Sequence, residues 1–116
     1  MKKMLLTLLL ISTQFAMGQI ESKPISEFTS FDESKEILLD VRTPAEFEAG
    51  CIVGAINIDW FSDDFNQQIQ GFDKSKKIFV YCKMGGRSLK SQERLVALGF
   101  KNVVNLEGGY DAYSSN

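Results

Sequence analysis

The stretch "KKIFVYCKMGGRS", residues 76–88, runs an apolar segment into a cysteine and follows it at once with two glycines and two cations. Ile78 to Tyr81 form a short, continuous apolar run, the form expected of a strand buried on both faces. Gly85 and Gly86 allow positive φ and let successive backbone N–H groups converge, which makes a nest for anions. Ser88 or Arg87 is predicted to open a helix whose N-terminus adds partial positive charge. Lys83 and Arg87 add two full charges. A thiol in such a loop, Cys82, is expected to have a lowered pKa and to exist largely as thiolate. The alternative is a buried structural cysteine followed by a Gly-rich turn.

Other segments repeat the alternation that this stretch begins. "EILLDV" (36–41), "GAINI" (54–58) and "NVVNLEGG" (102–109) read as further strands. "ISEFTSFDES" places Ile25, Phe28 and Phe31 at helical spacing, with Ser26 as a cap. "TPAEFEAG" has a Thr43 cap, Pro44 at the first helical position, Glu46 in the first turn and a stop at Gly50. "SDDFNQQIQGF" reads as a helix capped by Ser62. "SLKSQERLVALGF" puts Leu89, Leu95, Val96 and Leu98 on one stripe and ends at Gly99. "YDAYSSN" is a short terminal helix or tail. Strands that alternate with helices predict a parallel sheet covered on both faces. Ligands bind such sheets beyond the carboxyl ends of the strands. Two strands carry polar groups there, one ending in Asp40-Val41-Arg42 and the other in Cys82.

With 116 residues the chain supports one domain, and 44% hydrophobic and 24% charged residues are ordinary for a globular protein. "MKKMLLTLLLISTQFAMGQ" opens with Lys2 and Lys3, then an apolar run from Met4 to Ile11, then Ala16 and Gly18. That layout predicts a signal peptide over 1–18, cleaved after Gly18, an exposed lead-in over 19–24 and the domain over 25–116. The apolar run is shorter than the roughly 20 residues that span a bilayer, so no stable membrane insertion is expected after cleavage. The expected destination is the periplasm in a Gram-negative cell and otherwise the exterior. Cleavage lowers Lys+Arg from 13 to 11 against 15 Asp+Glu, for a net charge of −4. This disfavours a nucleic-acid partner, which needs a basic face. Histidine is absent, which excludes Ser/His and Cys/His catalysis and His-ligated metal sites. Asp59, Asp63 and Asp64 lack the ligand spacing and glycine of a calcium loop, so neither a metal nor a cofactor is expected. Trp60, Phe61, Phe65 and Phe72 read as core or rim packing.

"LLDVRTPAEFEAG", "GAINI", "VYCKMGGRS" and "NLEGGYDAY" together resemble the ordered signatures of rhodanese-like domains over nearly all of residues 24–113. The resemblance implies a central five-stranded parallel sheet flanked by helices on both faces. It also implies transfer of sulfane sulfur from a small anionic donor to a thiol or cyanide acceptor through a persulfide on Cys82. By position, Lys83, Met84, Gly85, Gly86, Arg87 and Ser88 would form the donor cradle. Asp40 and Arg42 match the family's "DVR", with an ordering role; for Arg42 a surface ion pair is the alternative. Four residues separate Cys82 from Arg87, which resembles sulfurtransferases rather than the related phosphatases, whose loop is one residue longer. A cation directly after the cysteine resembles the thiosulfate-using branch. A binding or sulfur-carrier module without turnover is the alternative function.

Two departures from the family pattern stand out. Gly50-Cys51-Ile52-Val53-Gly54-Ala55 replaces Gly-His-Ile-Pro-Gly-Ala, and Tyr113 replaces a tryptophan. Cys51 reads either as a small apolar filler or as a second thiol, paired with Cys82 or working with it in thiol–disulfide exchange.

Overall fold

The structure, a computed structural model, describes residues 19–115. In chain order it contains β1 (Gln19–Pro24), a 3-10 turn (Ile25–Glu27), β2 (Glu36–Asp40), α1 (Pro44–Ala49), β3 (Ile56–Asn57), α2 (Phe65–Ile69), β4 (Lys77–Tyr81), α3 (Gly86–Ala97), β5 (Asn102–Glu107) and α4 (Gly109–Ser114). The five strands form one parallel sheet in the order β1-β5-β4-β2-β3. The predicted fold class is therefore the observed one.

Strand alternation divides the core between the two faces. Ile37, Leu39 and Val41 share one face with Ile78, Val80 and Cys82, where α2 and α3 supply Phe65, Ile69 and Leu95. Leu38, Phe79, Tyr81, Val104 and Leu106 face the other side, against Ile25, Phe28 and Ile52. The period of two thus delivers the thiol to the α3 side of the sheet and Tyr81 to the opposite side. Phe28 packs edge-on against Phe79 at 5.2 Å between ring centroids.

Four local expectations change. Residues 19–24, expected as a lead-in, form edge strand β1 in register with β5, so the sheet begins at Gln19 rather than at residue 25. An edge strand with one neighbour has no buried face to announce it, and Ile20 is half exposed. The buried Gln92 of α3 ties it down, donating through Nε2 to the Glu21 carbonyl at 2.8 Å and the Val103 carbonyl at 3.1 Å. The helix expected within 25–34 is only a 3-10 turn over Ile25–Glu27, preceded by Pro24 and with no side-chain cap from Ser26. Phe28 reaches the core from irregular chain. The α2 helix starts at Phe65 after Asp64, and Ser62, two residues earlier, bonds to the Asp64 carboxylate and accepts the Asp64 N–H at 3.4 Å. Finally, α3 begins at Gly86, two residues before Ser88, and its buried face is Ser88, Ser91, Gln92 and Leu95. Leu89 is consequently exposed.

The expected signal peptide lies outside the described residues. Among the described residues, no helix is long and apolar enough to cross a membrane.

Candidate active site

Cys82 sits directly after β4, with its side chain almost wholly buried. The Gly85 N–H points at its Sγ at 3.0 Å, and the Ser88 hydroxyl lies 3.5 Å from it. Ser88 in turn donates to the Gly85 carbonyl at 3.1 Å. The chain turns at Gly85, whose φ of +126 is open to glycine and strained for other residues. It then enters α3, so the thiol lies within the positive end of a twelve-residue helix. Burial pushes the Cys82 thiol up, but the Ser88 hydroxyl and the N–H groups of Ser88, Gly85 and Met84 together outweigh it. The thiol is held below its ordinary value, as expected for an amide-lined loop.

A second layer fixes the loop from outside. The Cys82 carbonyl accepts from the Tyr110 N–H at 2.7 Å, and the Lys83 carbonyl accepts from the Asp111 N–H at 3.0 Å. The "EGGY" segment therefore serves as a buttress. A Cβ on Gly109 would stand 2.4 Å from the Lys83 carbonyl oxygen, a contact only glycine avoids.

Asp40 and Arg42 form a buried ion pair and not a surface one. Arg42 is 3% exposed. Its Nε lies 3.0 and 3.1 Å from the two Asp40 oxygens, and its Nη2 reaches Asp40 Oδ2 at 2.6 Å and the Gly50 carbonyl at 2.7 Å. The guanidinium stacks 4.4 Å from the centre of the Tyr110 ring. The pair thereby links the end of β2 to the residue that holds the Cys82 carbonyl. Asn57 of β3 closes the same corner, donating to the carbonyls of Asp40 at 3.0 Å and Arg42 at 2.9 Å.

The two cations of the loop are not free. Arg87 makes a two-pronged pair with Glu46 of α1, Nη1–Oε1 at 2.7 Å and Nη2–Oε2 at 3.1 Å. Lys83 Nζ reaches Asp111 Oδ2 at 2.6 Å, with both side chains about half exposed. The Arg87 fork holds Glu46 far below the usual carboxylate range, at about 2, with the Thr43 N–H and hydroxyl adding to the effect. The rim beyond is apolar: Phe61, 67% exposed, lies 5.6 Å from the Arg87 guanidinium, and Met84 is 71% exposed.

The structure thus brings Cys82, Gly85, Gly86, Arg87 and Ser88 into one loop, with Lys83 and Met84 on its outer surface and Asp40 and Arg42 beneath. Glu46, Asp111 and Tyr110 were not recognisable as site residues from sequence. Glu46 was legible only as an acid in the first helical turn, where it also completes the Thr43 capping box. Cys51 is a half-buried free thiol in the loop after α1, and Cys82 is likewise unpaired. The next residue, Ile52, donates its N–H to the Tyr81 hydroxyl at 3.1 Å, on the sheet face opposite the Cys82 side chain. Burial pushes that phenol far above its ordinary value, so it remains a neutral hydroxyl. Trp60, Phe65 and Phe72 pack into or against the core, as expected.

Comparison with known proteins agrees with this geometry. Thiosulfate sulfurtransferase 16 of Arabidopsis thaliana is 40% identical over 88 residues, covering 67% of this chain and 73% of that protein. Thiosulfate sulfurtransferase 18 of the same plant is 32% identical over 115 residues, covering 89% and 85%. The chain also matches the fungal adenylyltransferase and sulfurtransferase UBA4 of Meyerozyma guilliermondii at 33% identity, but spans only 23% of it. Among solved structures, a rhodanese-like domain protein from Staphylococcus aureus superposes with a TM-score of 0.68 at 31% identity, covering 80% of this chain and 90% of that one. Residues 26–116 match the rhodanese-like domain. The chain belongs to the rhodanese-like domain family, with sulfurtransferases among its relatives.

Proposed function

We propose that the protein is an exported sulfurtransferase that takes sulfane sulfur from thiosulfate onto Cys82 and passes it to a thiophilic acceptor. The observation that carries the reading is the Cys82 Sγ, buried, 3.0 Å from the Gly85 N–H and lowered in pKa within a loop of six residues. The Cys82 thiolate attacks the outer sulfur of thiosulfate. A new S–S bond forms, the original S–S bond breaks, and its electron pair leaves with sulfite. Loop amides that hold the thiolate also hold the terminal sulfur of the persulfide, which remains anionic. Cyanide or a thiolate then attacks that terminal sulfur, and Cys82 is released as thiolate. The protons balance without a general base, in keeping with a chain that has no histidine.

The donor assignment is supported by the cation that follows Cys82 and by the names of the two Arabidopsis relatives. Export is supported by the three-part layout of residues 1–18, and cleavage after Gly18 would leave β1 whole. Steady-state turnover of thiosulfate and cyanide by the wild type and by Cys82→Ser tests the chemistry. Turnover surviving in Cys82→Ser would remove the cysteine from the mechanism, and a clear preference for 3-mercaptopyruvate would overturn the donor. N-terminal sequencing of the exported protein should begin at Gln19.

A further inference from the structure

On the sulfurtransferase reading, Arg87 is the loop cation suited to the oxyanion end of a donor, and its fork is already occupied by a carboxylate of the same chain. Glu46 presents Oε1 and Oε2 to Nη1 and Nη2 in the geometry that a sulfonate or sulfite group would adopt. It is also provided for when it lets go. Oε1 is shared with the Thr43 N–H and hydroxyl, each at 3.0 Å, whereas Oε2 has Arg87 as its partner. Swinging the guanidinium from Glu46 to a bound anion therefore leaves Oε1 on its Thr43 donors, while Oε2 gives up Arg87 and turns to solvent at this partly exposed site.

Resting on the sulfurtransferase reading, we infer that Glu46 is a resident counter-ion of Arg87 that a dianionic donor displaces and that returns to expel sulfite. Glu46 is then a specificity-determining residue acting through Arg87. It weakens thiosulfate binding and, in the same measure, limits product inhibition. Its depressed pKa keeps it ionised across the working pH range, so the competition is permanent. A purely orienting Glu46 would do the opposite: its loss would leave Arg87 misplaced and raise KM.

The sign of the change in KM separates the two. Glu46→Gln removes the charge and retains a side chain suited to the capping box with Thr43. Thiosulfate kinetics with cyanide as acceptor, and inhibition by added sulfite, are measured for wild type, Glu46→Gln, Glu46→Asp and Glu48→Gln. Glu48 is an exposed residue on the same helix and controls for net charge alone. In Glu46→Gln, KM for thiosulfate and the inhibition constant for sulfite should both fall about fivefold, the worth of one well-formed surface ion pair. Glu46→Asp, with its carboxylate drawn back, should move both in the same direction. A KM that rises or holds in Glu46→Gln, or an equal fall in Glu48→Gln, overturns the inference. Mass spectrometry of the thiosulfate-treated wild type tests the underlying reading separately: without a persulfide on Cys82, that reading fails whatever Glu46 does.

Discussion

The Tyr110 N–H donates to the Cys82 carbonyl at 2.7 Å, which ties the backbone of the loop thiol to the first turn of α4. Residues just past β5 hold the backbone of the residue just past β4, in neighbouring strands of the sheet. Arg42, stacked on the Tyr110 ring and paired with Asp40, carries the same brace to the end of β2. The carboxyl ends of three adjacent strands thus share one network, and the amide-lined loop sits on top of it.

Gly109 is where this brace is tightest. Its φ is +63, and a Cβ there would stand 2.4 Å from the Lys83 carbonyl oxygen and 2.5 Å from that of Cys82. Gly109→Ala must therefore push the loop off the α4 amides. The expected cost is about 1–3 kcal/mol of stability, with persulfide formation reduced further than the loss of folded protein explains. Urea unfolding and single-turnover persulfide yield measure the two effects. Wild-type yield in a folded Gly109→Ala protein would show that the buttress does not position the thiol.

Much of this site was legible as contiguous sequence, and what was not has a common cause. The Cys82 loop and the Thr43 cap are each made by residues a few positions apart, so spacing exposes them, and it also marked Asp40 and Arg42 as polar groups at a strand end. The Arg87–Glu46 pair joins residues 41 positions apart, and Glu46 already had a local explanation as a first-turn acid. Likewise β1 carries one central apolar residue, Ile20, and owes its place to β5 and to Gln92. On α3 the apolar stripe misled because the buried face is mostly polar: Ser88 serves the thiol, Ser91 bonds back to the Arg87 carbonyl, and Gln92 serves the sheet.

Ser88 should be visible in the pH profile of the thiol. Its N–H favours the thiolate, as does its hydroxyl once it turns from the Gly85 carbonyl to the sulfur, and only the hydroxyl can be removed by substitution. In Ser88→Ala the midpoint of Cys82 alkylation by iodoacetamide should move to higher pH. The rate at pH 7 should fall on the order of tenfold, the worth of one hydrogen bond to a charged group. An unmoved midpoint would mean that the amides alone set the thiolate.

Breaking the buried Asp40–Arg42 pair should cost more than removing it. Both side chains are shielded from water, so Arg42→Met leaves Asp40 charged without its main partner. A loss of about 3–5 kcal/mol is expected from such a one-sided deletion. Adding Asp40→Leu to Arg42→Met should recover a large part of that loss, because no unpaired charge remains. Denaturant midpoints of the two single variants and the double variant test this. A double variant no more stable than Arg42→Met would show that packing under Tyr110, rather than unpaired charge, sets the cost.

Acid should reveal the Glu46–Arg87 pair as a stability term with a defined pH window. The Arg87 fork lowers the Glu46 carboxyl to about 2 in the folded protein, against about 4.3 in an unfolded chain. For a depressed carboxyl, the stabilisation is fully present above the unfolded value and disappears as pH falls through the folded one. Screening at this partly exposed pair discounts it to about 1–2 kcal/mol. Wild type should therefore exceed Glu46→Gln in unfolding free energy by a constant margin from pH 7 down to about 5. The margin should shrink below about 4.3, be mostly lost by about 2, where Glu46 is half protonated, and vanish below that. Urea titrations of both proteins at several pH values measure it. A margin that persisted well below pH 2 would assign the stabilisation to a difference between the neutral Glu and Gln side chains, and not to the charge on Glu46.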